Sequence, residues 1–188
     1  MPYLIDRSAE WLHWITPDRF NDEELFRIVT FFVFHSPCKQ LSSMGRSLQE
    51  YGWNTPWQKP FYLNKQLKQA SSNFNLIYSA STYDNLQIAL EKSNLNSNFY
   101  DDLSVERICI YDNMRNQFMS VFYHLRNCFA HCRLNMVDVD GECVFILEDA
   151  VPTKNNPDKM KLSARMILRK STLLKWIDII ESGEKYYI

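Results

Sequence analysis

Glycine is scarce, at four residues in 188, and with so few flexible turns the chain is not expected to be a turn-rich β sandwich. Long hydrophobic runs are missing as well. The most apolar stretch, Ile28 to Phe34, falls far short of the ~20 residues that span a bilayer, so no membrane segment is expected. Excess charge of either sign is absent. A net charge of −1 gives no global basic field that would gather polyanions, and any such binding must come from a local patch. There is no Gly-rich phosphate loop, no Gly-x-Ser-x-Gly elbow and no Cys-x-x-Cys pair. Five cysteines, an odd number with no secretory signal peptide in view, set the expectation of reduced thiols in a cytoplasm and of a cytoplasmic protein. With 46% hydrophobic and 23% charged residues, the composition is that of an ordinary globular chain, taken as one domain over 1–188.

What the sequence does contain is a stretch around which the rest is arranged. From Tyr111 to Arg133 it reads YDNMRNQFMSVFYHLRNCFAHCR. Met114, Phe118, Val121, Phe122, Leu125, Cys128, Phe129 and Cys132 recur at three- and four-residue intervals, which predicts a long amphipathic helix. A second row, Ser120, His124, Asn127 and His131, follows the same spacing on the opposite side. This polar stripe is expected to point away from the core, with Arg126 and Arg133 on its flank.

Upstream, turns at Ser8–Ile15 end at Pro17, and Asn21 caps a helix running to His35. Further helical pieces are expected at Leu41–Tyr51, Leu63–Tyr78 and Tyr83–Lys92, with the Asn- and Ser-rich stretch Ser93–Asp102 as a connection. Ser104 caps the long helix, which begins at Val105 or restarts near Asp112. After Asn135 the period changes. Met136–Val139 and Cys143–Leu147 flank Asp140-Gly141, the signature of a β-hairpin. Leu162–Arg169 alternates as a half-buried strand, so hairpin and strand together occupy about 136–168. Ser171 caps a closing helix of about 172–182 that Gly183 terminates.

The segment Arg126–His131, RNCFAH, resembles the Arg-Asn-x-x-x-His signature of HEPN domains, helical bundles widespread in prokaryotic toxins and defence proteins. The order of a motif helix, a hairpin, a strand and a closing helix is similar to a compact HEPN group of plasmids and defence loci. The resemblance covers most of the chain, most firmly from about Asp101 onward. It implies a mainly α fold: a HEPN-like antiparallel helical bundle with a small three-strand appendage after the motif helix. It further implies a metal-independent endoribonuclease of toxin or anti-phage type, working as a homodimer on RNA, with an antitoxin or other regulatory protein as a further partner. Arg126, Asn127 and His131 would then be catalytic, Ser120, His124 and Arg133 would line the substrate groove, and no cofactor would be needed. Arg165 and Arg169 would more weakly hold flanking phosphates.

The chemistry suits these residue types. Metal-free RNA cleavage needs a base for the ribose 2′-hydroxyl, an acid for the leaving 5′-oxygen, and cationic donors for the phosphorane. Imidazole serves either proton role, and guanidinium makes two parallel bonds to phosphate. On one helix Arg126 and His131 sit about 140° apart, awkward for one phosphate. Two copies about a twofold axis would bring one chain's arginine to the other's histidine.

Blander readings stand beside these. An Arg-Asn pair before a histidine also serves simply to cap a helix end, and some HEPN domains are non-catalytic modules that bind nucleotide, RNA or protein. Cys128, His131 and Cys132 have ligand-like spacing, yet nothing completes four ligands, and buried thiols explain them better than metal. Asp101-Asp102 and Glu148-Asp149 could in principle hold magnesium and Trp53, Trp57 and Trp176 could stack bases, but loop caps and solvated charge, and core packing, are the better readings.

Overall fold

The computed structural model describes residues 2–12, 22–38, 44–58, 63–71, 77–112, 114 and 116–187. The expectations for His13–Ile15, Pro17, Asn21, residues 41–43 and the middle of Leu63–Tyr78 lie outside the described residues.

A six-stranded mixed sheet forms the centre of the molecule. Strand β5 (Glu142–Pro152) and strand β6 (Lys159–Arg169) form its spine, antiparallel to each other. Strand β4 (Leu134–Val139) flanks β5. On the other side of β6, strand β3 (Arg107–Tyr111) pairs with residues 164–167 and strand β1 (Leu4–Asp6) with residues 159–161. Strand β2 (Ile77–Ala80) lies parallel to β3, the two joined by helix α3 (Tyr83–Lys92) as the crossover that a parallel pair requires.

Helices cover both faces. On one face lie α1 (Glu23–Thr30) with a π turn at Phe31–His35, α2 (Leu63–Gln69), α4 (Gln117–Ala130) and α5 (Lys170–Ser182), packed on Ile108, Ile110, Phe145, Leu147, Ala164, Met166 and Leu168. Against the other, Cys109, Val144, Ile146, Leu162 and Ile167 meet α3, Leu95, Phe99, Ile5 and Trp11.

The expected mainly helical bundle is therefore overturned. The three strands are not an appendage but half of a sheet sandwiched between helical layers. A sheet covered on both sides buries successive positions, so a strand such as RICIY lacks period-two alternation, and Leu162–Leu168, expected half-buried, is buried throughout. Ile108, Cys109 and Ile110 in β3 are each fully buried, and so are Val144 through Ala150 in all but a few per cent of their surface. For the same reason Ser104 does not cap a long helix: Arg107–Tyr111 is strand, and the helix starts only after Asn116, whose side-chain oxygen accepts from Phe118 N at 2.9 Å and Met119 N at 3.3 Å.

Other expectations agree with the structure. The hairpin turns at Asp140 and Gly141, both at positive φ, and α3 spans the expected residues. The closing helix ends at Gly183, but Ser171 does not cap it: its hydroxyl bonds Glu142 instead. Asp22 takes the cap of α1, accepting from Glu24 N and Leu25 N. Trp53 and Trp176 are fully buried, their indole N–H groups donating to the Ile180 and Leu67 carbonyls. No helix among the described residues is long and apolar enough to cross a membrane.

Candidate functional site

Helix α4 ends in a Schellman motif that disposes the motif residues. His131 is the C-cap, its N–H bonded to Asn127 O at 2.9 Å. Cys132 follows at φ +52°, the left-handed position usually given to glycine, with Cys132 N donating to Phe129 O and Arg133 N to Cys128 O. The reversal leaves His131 and Cys132 exposed and sends Arg133 back into the protein, where it is only 7% exposed.

The polar stripe does not face solvent as expected. Its first half is buried, because α4 is covered on both sides by the sheet, the π turn and the loop after β3. Ser120 is fully buried; its hydroxyl donates to Asp112 Oδ1 at 2.6 Å and accepts from Met114 N, fixing the loop that enters α4. His124 is 1% exposed, with Nε2 2.8 Å from the Tyr111 carbonyl and Nδ1 2.6 Å from Asp149 Oδ2. Both ring nitrogens are thus taken up by acceptor groups inside the protein. Neither residue lines a groove.

The second half of the stripe opens on a cleft of about 770 Å³. Asn127, Ala130, His131, Cys132, Arg133 and Asp149 line one side, and Arg7, Ser8, Ala9, Leu12, Ala150–Pro152 and Met160 the remainder. Its size is that of a small-ligand site. Asn127 is held at both ends of its amide. Its Nδ2 donates to Asp149 Oδ2 at 3.1 Å, and its Oδ1 accepts from Arg126 Nη1 at 3.2 Å. Arg126 is half-buried and not among the residues that line the cleft. In a single chain, then, Asn127 and His131 share the cleft while Arg126 is one bond removed from it.

Arg133 is likewise committed elsewhere. Its guanidinium bonds Glu148, the Arg7 carbonyl at 2.8 Å and Met160 Sδ. Glu148 is also bonded by Arg165 Nε at 2.9 Å, and Arg165 reaches the Leu95 and Asn96 carbonyls over the ring of Phe99. Arg169 pairs with Glu142 and the Ser104 carbonyl. The expected phosphate roles of Arg165 and Arg169 give way to structural ones.

Sequence reasoning missed Asp149, Glu148 and Arg7. The first two are not solvated loop charges but are 3% and 1% exposed, on opposite faces of β5. The available signal was their position inside the apolar run CVFILEDAV, where an acidic pair must find buried partners. Cys128 is buried and Cys132 exposed, and among the described residues no three His, Cys, Asp or Glu side chains stand where they could hold a metal. Comparison with models of protein families, with curated proteins and with solved structures yields no match.

Proposed function

We propose that the chain is a metal-independent endoribonuclease of the HEPN type, of the toxin or anti-phage defence kind, and that two copies about a twofold axis complete its site. The observation that carries this reading is the arrangement at the end of α4. Asn127 is locked by Asp149 and Arg126, and one turn on His131 stands exposed at the mouth of a nucleotide-sized cleft. The reading rests on the motif's chemistry and not on a bundle fold.

In the reaction, an imidazole takes the proton of the ribose 2′-hydroxyl, the 2′-oxygen attacks phosphorus, and a second acid protonates the leaving 5′-oxygen. The products are a 2′,3′-cyclic phosphate and a free 5′-hydroxyl. Asn127 donates to a phosphate oxygen or steers the imidazole, and Arg126 neutralises the phosphorane. One chain brings only one imidazole to the cleft among the described residues, since His124 is buried and bonded at both nitrogens. The arginine would come from the partner copy.

The same observation favours a second reading, a non-catalytic module that binds RNA or nucleotide through the cleft. Incubation of the purified protein with single-stranded RNA in EDTA separates the two. Cleavage abolished in His131→Ala and Arg126→Ala supports the nuclease; binding without cleavage supports the module; equal cleavage by the variants removes the site.

A further inference from the structure

Three arginines lie near the cleft, and they differ in how their side chains are occupied. Arg126 is outside the lining and bonded to Asn127. Arg133 is buried and bonded to Glu148 and two further acceptors. Arg7 is exposed, lines the cleft with His131, and its guanidinium has no hydrogen-bond or ion-pair partner among the described residues. Its backbone, by contrast, is pinned on both sides: Arg7 N donates to Asp158 O at 2.9 Å, and Arg7 O accepts from Arg133 Nη1 at 2.8 Å. The residue before it, Asp6, is paired in β1 and bonded to Lys159 Nζ at 2.6 Å. The fixed backbone anchors the base of this side chain at the cleft, and its guanidinium is left available to a ligand.

The surrounding charge points the same way. Among the described residues, five ionisable side chains line the cleft: Arg7, His131, Cys132, Arg133 and Asp149. The Asp149 carboxylate is taken up by His124 Nδ1 and Asn127 Nδ2, and Glu148 is shared between Arg133 and Arg165, two guanidinium groups to one carboxylate. The cleft is left with a positive excess at its floor and another cation at its rim. Its remaining walls, Leu12, Ala130, Val151, Pro152 and Met160, are apolar and suit a sugar and base.

We infer that Arg7, supplied by the same chain as His131, is the residue that binds the phosphate of an unpaired ribonucleotide in this cleft. The ribose in that statement rests on the nuclease reading; the phosphate rests on the charge and geometry just given. Arg7 also gives each chain a phosphate contact that Arg126, outside the cleft, does not provide.

The test is titration of the full chain with a 2′-O-methyl uridine tetranucleotide, which keeps its phosphodiesters but cannot undergo 2′-hydroxyl attack. Wild type is expected to bind, and Arg7→Gln to bind about tenfold or more weakly. Arg7→Lys should fall between them, since an ammonium keeps the charge but loses the paired bonds. Lys154→Gln, the same change of charge on the exposed β5–β6 loop, should bind as wild type. The melting temperature of Arg7→Gln should stay that of wild type, because only backbone atoms of Arg7 hold the fold. Equal binding by wild type and Arg7→Gln, or no binding by wild type, overturns the inference. Binding of this probe with no cleavage of ordinary RNA removes the nuclease but leaves Arg7 in place. Cleavage that is unchanged in Arg7→Gln does the reverse.

Discussion

His124 Nδ1 lies 2.6 Å from Asp149 Oδ2, joining the middle of α4 to the bulge in β5 beneath 1% and 3% of residual exposure. Asn127 donates to the same carboxylate oxygen, so one buried acid orients both the stripe's first histidine, His124, and the motif's asparagine. Removing either member of such a pair strands a buried charge. His124→Ala and Asp149→Ala are each expected to lose about 3–5 kcal/mol, because the partner left behind keeps its desolvation cost without its bond. The double variant should lose clearly less than the sum of the two, by more than about 1 kcal/mol. Urea denaturation of the four proteins measures this, and additive losses would show that the two side chains do not interact.

Glu106 provides a pH dependence of definite sign. It is 2% exposed; burial pushes its carboxyl above the ordinary value near 4.5, and the Arg169 N–H, the Thr172 side chain and the Arg169 charge offset that only in part. From about pH 4.5 up to the folded-state value, the folded chain keeps a proton that the unfolded chain has already released. Stability contributed by this group therefore falls as pH rises through that window, by up to about 1.4 kcal/mol for each pH unit it spans. Glu106→Gln is permanently uncharged. Its stability minus that of wild type should climb from pH 4 upward and then level off, as read from urea midpoints at constant m. A flat or falling difference contradicts the argument.

Thiol reactivity follows burial. Desolvation raises Cys38 to about 11 and Cys109 to about 12, and pushes Cys128 well up, whereas Cys132 is exposed at the helix end and Cys143 half-buried. A thiolate is the reactive species, so the three buried cysteines should resist an aromatic disulfide reagent at pH 8. The native protein should release one equivalent quickly from Cys132 and a second slowly from Cys143, and the other three only in urea. Cys132→Ser should erase the fast phase alone. Rapid release of more than two equivalents would mean that the core is open.

The fold was legible where local chemistry decides it. Asp140-Gly141 between two apolar runs set the hairpin, and Tyr83–Lys92 read as helix; the structure adds the Thr82 hydroxyl, which caps its first turn. It was illegible where burial is two-sided. RICIY and IYSA are strands only because other strands lie beside them, and as isolated apolar runs they resemble helix. The spacing of Ser120, His124, Asn127 and His131 correctly places them on one helix face, yet nothing local reveals that the face turns inward. That depends on Asp149 and Tyr111, 25 and 13 residues away. Arg7 is farther still, 126 residues from the Arg133 that holds its carbonyl.

The composite-site proposal has a consequence that no single-chain arrangement shares. If a working site takes Arg126 from one copy and His131 from the other, Arg126→Ala and His131→Ala are each inactive alone but complement each other when mixed. In a mixed dimer, the intact arginine of the His131→Ala chain faces the intact histidine of the Arg126→Ala chain, while the second site loses both. Random exchange makes half the dimers mixed, each with one of two sites restored, so about a quarter of wild-type cleavage should return. Equal amounts of the two variants, exchanged and assayed on RNA in EDTA, measure it. If both groups instead act within one chain, every site in the mixture lacks one of them and no activity returns, so the absence of recovery in fully exchanged variants, with wild type active, would place the whole site in a single copy.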